Sequence, residues 1–318
     1  MSGRRSRFTL RQIEVLVAVA DHASITHAAE WLLVSQPAVT RTIQEIENEV
    51  GAPLFDRVPR GMIPTVFGES MIRHAKAVLA ELRHAGEEIE SLKGNEKGVV
   101  RVGTAPLGAP VLLPTVASRL IAKHPGLRVE IFEENFTGLI STLRTGGLDL
   151  VVGPAPEDAL DPVLQCSTLF TDELVIVASK NHPLAGEKDV PISRIANENW
   201  VMPPHNNRPW RRLESRFLLE GVSMPPHAIL SSSIAVVRSV LMQGNWLTVY
   251  PRLIVHNDLR DGTLAEVALA GEPMEWDVVV YSRSTAALSP AARAMMAELE
   301  AFSPGVDLWR RSSFAGSV

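Results

Sequence analysis

The chain has 318 residues, of which 46% are hydrophobic and 21% are charged, and its formal net charge is −5. This length allows two or three folded units, and the composition predicts a sizeable packed core. The negative balance excludes a protein that binds nucleic acid through a large basic field, so any such binding would need individually placed arginines and helix N-termini.

Cys166 is the single cysteine of the chain. One cysteine excludes an internal disulfide and a metal site with several thiolate ligands, and it indicates a reducing compartment. We interpret Cys166 as a small buried hydrophobe, and a redox sensor is the alternative.

The N-terminus could be mistaken for a secretory signal, because Arg4, Arg5 and Arg7 precede the apolar run from Val15 to Ala20. That run is short, and the apolar residues around it form a one-sided helical stripe: Leu10, Ile13, Leu16, Val17 and Ala20. We therefore predict a first helix from Phe8 to His22. No stretch approaches the ~18 apolar residues of a membrane span, so we expect a cytoplasmic protein without a membrane partner.

Two short helices joined by a tight turn are predicted between Ser24 and Glu47. Ser24 can cap the first, from Thr26 to Leu33, and Ser35 can cap the second, from Gln36 to Val50. Apolar residues of the second helix recur at helical spacing and should face inward: Val39, Ile43 and Ile46. The opposite face is polar near its N-terminal end, as in a helix that enters the major groove of DNA and reads base edges.

A specific motif runs through the segment from Phe8 to about Leu82. Its residues are Ala28-Ala29, Leu33, Val34-Ser35-Gln36-Pro37-Ala38-Val39-Thr40, Ile43, Ile46-Glu47, Gly51, Leu54-Phe55, Arg57, Thr65 and Gly68. A generic helix-turn-helix pattern is weakly specific, whereas Ser-Gln-Pro-Ala-Val followed by Leu-Phe-x-Arg and Thr-x-x-Gly is strongly specific. This segment resembles the DNA-binding region of the LysR-type transcriptional regulators.

Residues 57–65 predict a short two-stranded wing with Gly61 at its tip. Arg57 and Arg60 are candidates for phosphate or minor-groove contacts, and exposed arginines without such a role are the alternative. The resemblance and the exposed helix face together predict a DNA-binding set: Ser35, Gln36, Pro37, Thr40, Arg41, Gln44, Arg57, Arg60 and Thr65. The expected partner is double-stranded promoter DNA carrying an inverted repeat.

Phe67 to about Leu92 predicts a long helix whose small and apolar residues alternate in spacings of three and four: Ile72, Ala75, Leu79, Leu82, Gly86 and Ile89. This pattern is typical of a coiled-coil seam and predicts a dimer, and packing on its own domain is the alternative. The resemblance implies that this helix pairs antiparallel in dimers and that the full-length protein is a homotetramer. RNA polymerase is a further candidate partner.

Gly94-Asn-Glu-Lys-Gly is polar and turn-rich and is the predicted domain boundary. Beyond it, strands at 99–103, 127–132 and 148–153 alternate with helices at 111–123 and 136–144, which is a βαβαβ unit with a parallel sheet. A second unit follows, with strands at 174–179, 200–202, 228–230 and 246–250 and helices at 209–219 and 234–242. A return strand at 276–282 and a helix at 290–302 are predicted to close the domain.

The predicted fold is an α/β effector domain of two Rossmann-like lobes, joined by a long helix to an α+β winged helix-turn-helix domain. The resemblance implies lobes arranged as in periplasmic solute-binding proteins, on looser matches: Pro114, Pro125, Leu143, Gly146, Leu148-Asp149-Leu150, Gly244 and Pro251. The predicted domains are 1–66 for DNA binding, 67–94 for the linker helix and hinge, 95–303 for effector binding and 304–318 for a poorly ordered tail. Lobe I would comprise 95–163 and 268–303, and lobe II 164–267.

Ligands of open parallel sheets bind beyond the carboxyl ends of the strands. This rule selects the following effector-binding candidates: Thr104, Ala105, Asn135, Pro203, His205, Ser232, Ser233 and Tyr250. Hydroxyls and free N–H groups near helix N-termini suit a carboxylate, and the resemblance implies effectors that are small organic acids. A sugar-related effector, held by His205, Asn206, Arg208 and Trp210 of the loop from Pro203 to Arg212, is the alternative, and Arg211 and Arg212 are interpreted as a solvated helix face. His205 is not expected to bind a metal, because no second ligand stands at a suitable spacing.

Three functions compete on the sequence alone. An effector-responsive transcription regulator accounts for the whole chain. A solute-binding protein of a transport system would account for 98–302 but leaves the Ser-Gln-Pro-Ala-Val helix unexplained, and a constitutive DNA-binding protein would use its large domain only to oligomerise. An enzyme is disfavoured, because G-x-S-x-G, P-loop and H-E-x-x-H motifs are missing. No catalytic residue, cofactor or metal is predicted.

Overall fold

A computed structural model describes residues 8–59, 61–93, 98–105, 111–157, 161–202, 208–225, 229–283 and 288–304. The chain divides into two compact units: Met1–Asn95 with Ser141–Leu148, and Glu96–Ile140 with Asp149–Val318. Four of the five residues of the predicted domain boundary lie outside the described residues, and so does all of the predicted tail except Pro304. The domain limits therefore stay a prediction.

The elements of the first unit are α1 (Leu10–His22), α2 (Ile25–Trp31), α3 (Gln36–Val50), β1 (Phe55–Val58), β2 (Gly61–Pro64) and α4 (Val66–Leu92). Thr9 begins α1 with a reciprocal cap, in which its hydroxyl accepts from the Gln12 N–H and its own N–H donates to the Gln12 side chain. The apolar side of α1 is buried against α2 and α3, at Val15, Leu16, Ala18 and Val19. This run is thus a core helix, as predicted.

The two helix starts that follow differ in their caps. Ser24 caps α2, because its hydroxyl accepts the N–H of His27. Ser35 stands at the same position before α3, but its side chain makes no cap hydrogen bond, so the prediction of a side-chain cap is wrong there. Pro37 in the first turn supplies the preset backbone angle that the helix start needs.

The wing β1–β2 is antiparallel and packs against the turn between α1 and α2. Arg57 pairs with Met62 across the wing, and the N–H of Met62 donates to the carbonyl of Ala23 at 2.8 Å. Gly61 has φ +126°, and a Cβ on it would collide with that same carbonyl oxygen. Only glycine therefore fits this position without moving the wing.

The long helix α4 is attached to its own unit at its start. Ile72 and Ala75, the first two residues of the predicted coiled-coil seam, are buried in the core formed with α1 and α3. Packing on its own domain, the alternative interpretation, is thus the correct one for these two. Leu82 and Ile89 are about half exposed, so only the later part of the seam is available for a partner helix.

The second unit begins with a βαβαβ arrangement, as predicted. Its elements are β3 (Gly98–Thr104), α5 (Leu112–Lys123), β4 (Leu127–Glu133), α6 (Phe136–Arg144), whose residues from Ser141 onward belong to the first unit, and β5 (Leu150–Pro154). Both β4 and β5 lie parallel to β3, on its two sides. The carboxyl ends of the three strands therefore meet at one edge.

The next strand is much longer than predicted. The structure has β6 at Leu164–Ser179, where the sequence predicted only 174–179. The additional residues pair with the return strand, which spans Met274–Arg283 and is antiparallel to both β5 and β6. The sheet of the described residues is thus continuous through both lobes.

The remaining elements are α7 (Ile192–Ile195), β7 (Asn199–Met202), α8 (Arg208–Leu219), β8 (Ile229–Leu230), α9 (Ile234–Leu241), β9 (Trp246–Pro251), α10 (Arg252–Arg260), β10 (Leu264–Val267), β11 (Met274–Arg283) and α11 (Pro290–Glu300). β7 lies parallel to β8 and β9, which matches the predicted second unit. The sequence missed α7, α10 and β10. None of the described helices is long and apolar enough to cross a membrane.

The wing supplies a stability prediction. Gly61→Ala should lower the free energy of unfolding of the first unit by about 2 kcal/mol or more, because the new side chain meets the Ala23 carbonyl in a strained backbone conformation. Gly86→Ala is the control, since Gly86 lies in α4 with open space around its Cβ position, and it should raise stability by up to about 1 kcal/mol. Urea unfolding of both full-length variants measures the difference. Equal stability of the two would contradict the structural role of Gly61.

Candidate DNA interface and effector cleft

The second helix of the helix-turn-helix, α3, presents a polar exposed face. Gln36, Arg41 and Gln44 are exposed and Thr40 is half-buried. The opposite side is closed by Val39, Ile43 and Ile46, which are at most 4% exposed. The division follows the helical period, so the exposed face is free to enter a major groove.

The start of α3 adds backbone donors to this face. Ser35 and Pro37 are exposed, and the hydroxyl of Ser35 makes no cap hydrogen bond. The carbonyl of Ser35 accepts the N–H groups of Ala38 and Val39, whereas the first N–H of the helix points beyond its end. A free hydroxyl beside a free N–H is suited to hold a DNA phosphate.

The wing residues of the predicted DNA-binding set, Arg57, Arg60 and Thr65, differ in what the structure shows of them. Arg57 is exposed on β1, which leaves its guanidinium available for a backbone contact. Arg60 lies outside the described residues. The hydroxyl of Thr65 donates to the carbonyl of Pro53 at 2.7 Å and accepts the N–H of Gly68 at 3.1 Å. It caps α4, which is a structural role, and its contact with DNA stays a prediction.

Two residues of the matched motif prove to be structural connections. The carboxylate of Glu47, near the end of α3, accepts the N–H of Leu54 at 2.7 Å and that of Phe55 at 3.4 Å. A Cβ on Gly68 would collide with the carbonyl of Leu54, so α4 can approach the wing only with glycine there. Glu47 and Gly68 thus fix the wing relative to α3 and α4.

At the strand ends of lobe I, the predicted residues are engaged in local bonds. Thr104 is fully buried, and its hydroxyl donates to the carbonyl of Ala105. The side chain of Asn135 accepts the N–H of Gly138 at 2.9 Å and so begins α6. Both residues lie beyond or at the end of adjacent strands, where the sequence placed them.

In lobe II the predicted residues separate into two groups. Ser233 caps α9 by accepting the N–H of Val236, and Ser232 beside it is exposed. Tyr250 is 4% exposed and packs in an apolar cluster with Val237, Leu241 and Ile254, where burial raises its pKa. Its position is that of a core residue, which corrects its assignment to the effector site. Pro203 and His205 lie outside the described residues.

Arg208, which belongs to the polar loop singled out in the sequence, meets two residues that were not selected, Phe136 and Tyr281, at the end of β5. Tyr281 on β11 donates its hydroxyl to the carbonyl of Pro154 at 2.5 Å, and its ring contacts that of Phe136 edge-on, with centroids 5.4 Å apart. The guanidinium of Arg208, at the start of α8, lies 5.6 Å from the centroid of the Phe136 ring. This cluster joins lobe I to the first turn of α8.

The sequence carries only partial signals that these three residues belong to a site. Phe136 directly follows the selected Asn135, and Arg208 belongs to the polar loop that was singled out. Tyr281 carried no signal beyond an alternating strand. Burial raises the pKa of Tyr281, so its phenol stays protonated and acts as a hydrogen-bond donor near neutral pH.

Cys166 lies opposite Tyr281 in the β6–β11 register and is half-buried. The described residues contain no group of three or more histidines, cysteines and carboxylates that could hold a metal ion.

Comparison with known proteins identifies the family. The family model for the LysR substrate binding domain matches residues 93–303, and that for the bacterial regulatory helix-turn-helix proteins of the lysR family matches residues 10–69. The chain belongs to the LysR family. It is therefore a DNA-binding transcriptional regulator with an effector-binding domain and not an enzyme, and the solute-binding alternative is wrong.

Several LysR-type proteins are similar over nearly the whole chain. The regulator GbpR of Azospirillum brasilense is 28% identical over 94% of this chain and 88% of its own length. The RuBisCO operon transcriptional regulator of Allochromatium vinosum is 30% identical over 90% of this chain and 93% of its own. LysR regulators bind DNA, respond to small-molecule effectors and oligomerise.

Solved LysR structures share the fold. A full-length OxyR variant from Pseudomonas aeruginosa superposes with a TM-score of 0.73 at 21% identity, covering 92% of this chain and 94% of that chain. CbnR in complex with its target DNA superposes with a TM-score of 0.65 at 18% identity, covering 96% of this chain and 100% of that chain. At such identity only the fold carries over.

Arg41 offers a direct test of the α3 face. Arg41→Ala should weaken operator binding about tenfold or more, because the exposed guanidinium is lost while the packed face of α3 is untouched. Fluorescence anisotropy against operator and unrelated DNA separates the two kinds of contact: a base contact relaxes sequence preference, whereas a phosphate contact weakens both DNAs alike. Arg194→Ala, at an exposed arginine of α7 in the other unit, is the control. Undiminished operator binding by Arg41→Ala would remove this residue from the interface.

Proposed function

We propose that this LysR-type regulator reads an inverted repeat in promoter DNA as a cytoplasmic dimer or tetramer, and that a small carboxylic acid bound between its lobes modulates this binding. The observation that carries the DNA part is the exposed polar face of α3 above three buried apolar residues. Two such helices in a dimer would occupy successive major grooves. Arg57, and Arg60 beside it in the sequence, would contact the flanking backbone.

Several features support dimerisation through α4. Leu82 and Ile89 are large apolar residues that α4 leaves about half exposed, and they continue the three-and-four spacing of the seam. Burying them against a second copy would remove apolar surface from water. The proposed tetramer and a contact with RNA polymerase follow from the family alone.

The strand-end cleft supports an anionic effector. Lobe I brings Thr104 and the start of α6 to the ends of β3 and β4, and lobe II brings the exposed N-terminus of α9 with Ser232 and Ser233. A carboxylate would be stabilised by hydroxyl donors and by the unpaired N–H groups of a helix start. A sugar-related effector would instead depend on the loop that contains Pro203 and His205.

The proposed mechanism is a shift between two arrangements of the lobes. An effector that contacts both lobes stabilises the arrangement in which its contacts are complete, and by linkage it changes the affinity of the regulator for DNA. The size of the shift is limited by the difference between the affinities of the effector for the two arrangements.

A thermal-shift panel on the full-length protein would identify the effector class. Small aromatic acids, aliphatic and sugar acids, neutral sugars and amino acids are tested at millimolar concentration. A ligand present at a hundred times its Kd stabilises the protein by about 2.7 kcal/mol, which moves the transition visibly. A hit only among neutral sugars would contradict the carboxylate. If no compound shifts the transition, the result would favour an effector-binding domain that only oligomerises.

Thr104 is the residue whose substitution tests the cleft. Thr104→Val should weaken the hit acid about tenfold and abolish its effect on DNA binding, because the strand-end hydroxyl is lost while side-chain volume is kept. Binding to DNA without effector should be unchanged. Thr248→Val is the matched control, since Thr248 is equally buried and its hydroxyl has no partner among the described residues. An unaltered effector response in Thr104→Val would refute the assignment.

A further inference from the structure

A groove of 540 Å³ lies along α8, beside the strand-end cluster at Pro154. One wall is the segment 154–157 that leaves lobe I, the other is α8, and Met274 and Trp276 of β11 lie between them. This volume falls in the range of about 300–1,000 Å³ that small-molecule sites occupy. The groove is thus large enough for a small metabolite.

The groove already contains a bound carboxylate, which is that of Glu157. One of its oxygens lies 3.5 Å from Nε of Arg208, and the other accepts from Nη2 of Arg211 at 2.7 Å. Arg208 is held in place independently, because it also donates to the carbonyl of Ala155 and lies over the Phe136 ring. Two guanidinium groups are therefore prearranged around one acid group.

The guanidinium of Arg212 also faces this groove. Arg212 lines it and is exposed, and it makes no ion pair with any residue that the structure describes. It stands four positions after Arg208, so the two side chains leave the same face of α8 from Cβ atoms about 5–6 Å apart. That spacing suits the two acid groups of a short dicarboxylate.

We propose that this groove is a second ligand site, which takes a small dicarboxylate and in which Glu157 acts as an internal competitor. One ligand carboxylate would replace that of Glu157 at Arg208, and the other would pair with Arg212. Neither Thr104 nor Ser233 lines this groove, and the proposed ligand is additional to the effector proposed at those residues.

The other charges of the groove restrict how such a ligand lies. Glu275 and Asp277 line the β11 side, and Asp277 accepts a hydrogen bond from Thr171. Their negative charges repel an acid group on that side, so both carboxylates of the ligand face α8. Arg216, further along the helix, is engaged by Glu220 and by the carbonyl of Ala270, and it is not needed for binding.

Displacement of Glu157 is feasible because its own side chain is about half exposed, whereas Arg208, the arginine that the ligand would take over, is 22% exposed. The side chains of Glu157 and Arg211 are about half exposed, at 49% and 50%, and ion pairs of this kind hold weakly. Loss of the ion pairs of Glu157 has a structural consequence, since Glu157 follows the last strand of lobe I whereas α8 belongs to lobe II. A dicarboxylate in the groove would release this ionic contact between the lobes.

The test is calorimetric titration of the full-length protein with succinate, and with butyrate as the single-acid comparison. Glu157→Gln should bind succinate more tightly than the unmodified protein, by up to about fivefold, because the competitor is neutralised. Glu214→Gln, an exposed glutamate of the same helix that does not line the groove, changes the net charge equally and should leave the affinity unchanged. Arg212→Gln should reduce the preference for succinate over butyrate by about fivefold.

Three results would overturn the proposal: no saturable binding of succinate to Glu157→Gln at millimolar concentration, equal affinities of Glu157→Gln and Glu214→Gln, or an intact succinate preference in Arg212→Gln. Thr104→Val separates this site from the strand-end cleft. Succinate binding that survives in Thr104→Val belongs to the groove, whereas its loss there would place succinate in the cleft and contradict the second site. An effector response lost in Thr104→Val with groove binding retained leaves both proposals standing.

Discussion

The antiparallel pairing of β6 with β11 is the constraint on which the effector domain depends. Their register runs from Met274 opposite Leu174 to Arg283 opposite Leu164, with a bulge at Val278/Val279. β5 joins this pair on the lobe I side, whereas β9 and β10 pair with the far half of β6. Both lobes are therefore built on the same two strands, β6 and β11. The register also sets Tyr281 opposite Val151 of β5, from where its hydroxyl reaches the carbonyl of Pro154.

The sequence predicted the elements whose signals are local. The bounds of α3 agree with the structure because an apolar period, a proline in the first turn and a final glycine all act within the helix. The first half of β6 escaped prediction because Gln165, Ser167 and Thr168 carry little strand signal, and their pairing is with β11, more than a hundred residues later. The helix α10 escaped because its apolar start directly continues strand β9, and periodicity alone does not separate the two.

The candidate sites also differ in whether local sequence signals predict them. The exposed residues of α3, which are the candidates for DNA contacts, could be predicted because exposure on a helix follows its period. The effector residues rested on a strand-end rule that selects positions without side-chain directions. Tyr250 stands at such an end yet turns toward α9 and α10, and Thr65 and Asn135 serve as helix caps. The cluster of Phe136, Arg208 and Tyr281 depends on three distant segments meeting, which no local pattern encodes.

The motif that identified the family is largely a folding motif. Glu47, Thr65 and Gly68 join the second helix of the helix-turn-helix, the wing and the long helix by hydrogen bonds and a close backbone approach. Gly61 likewise allows a close backbone approach between the wing and the α1–α2 turn. These residues fix the position of α3, but none of them lies on its exposed polar face. This agrees with the proposal that the exposed residues of α3 recognise the DNA sequence, since they can change without disturbing the fold, whereas the buried face of α3 is bound by packing.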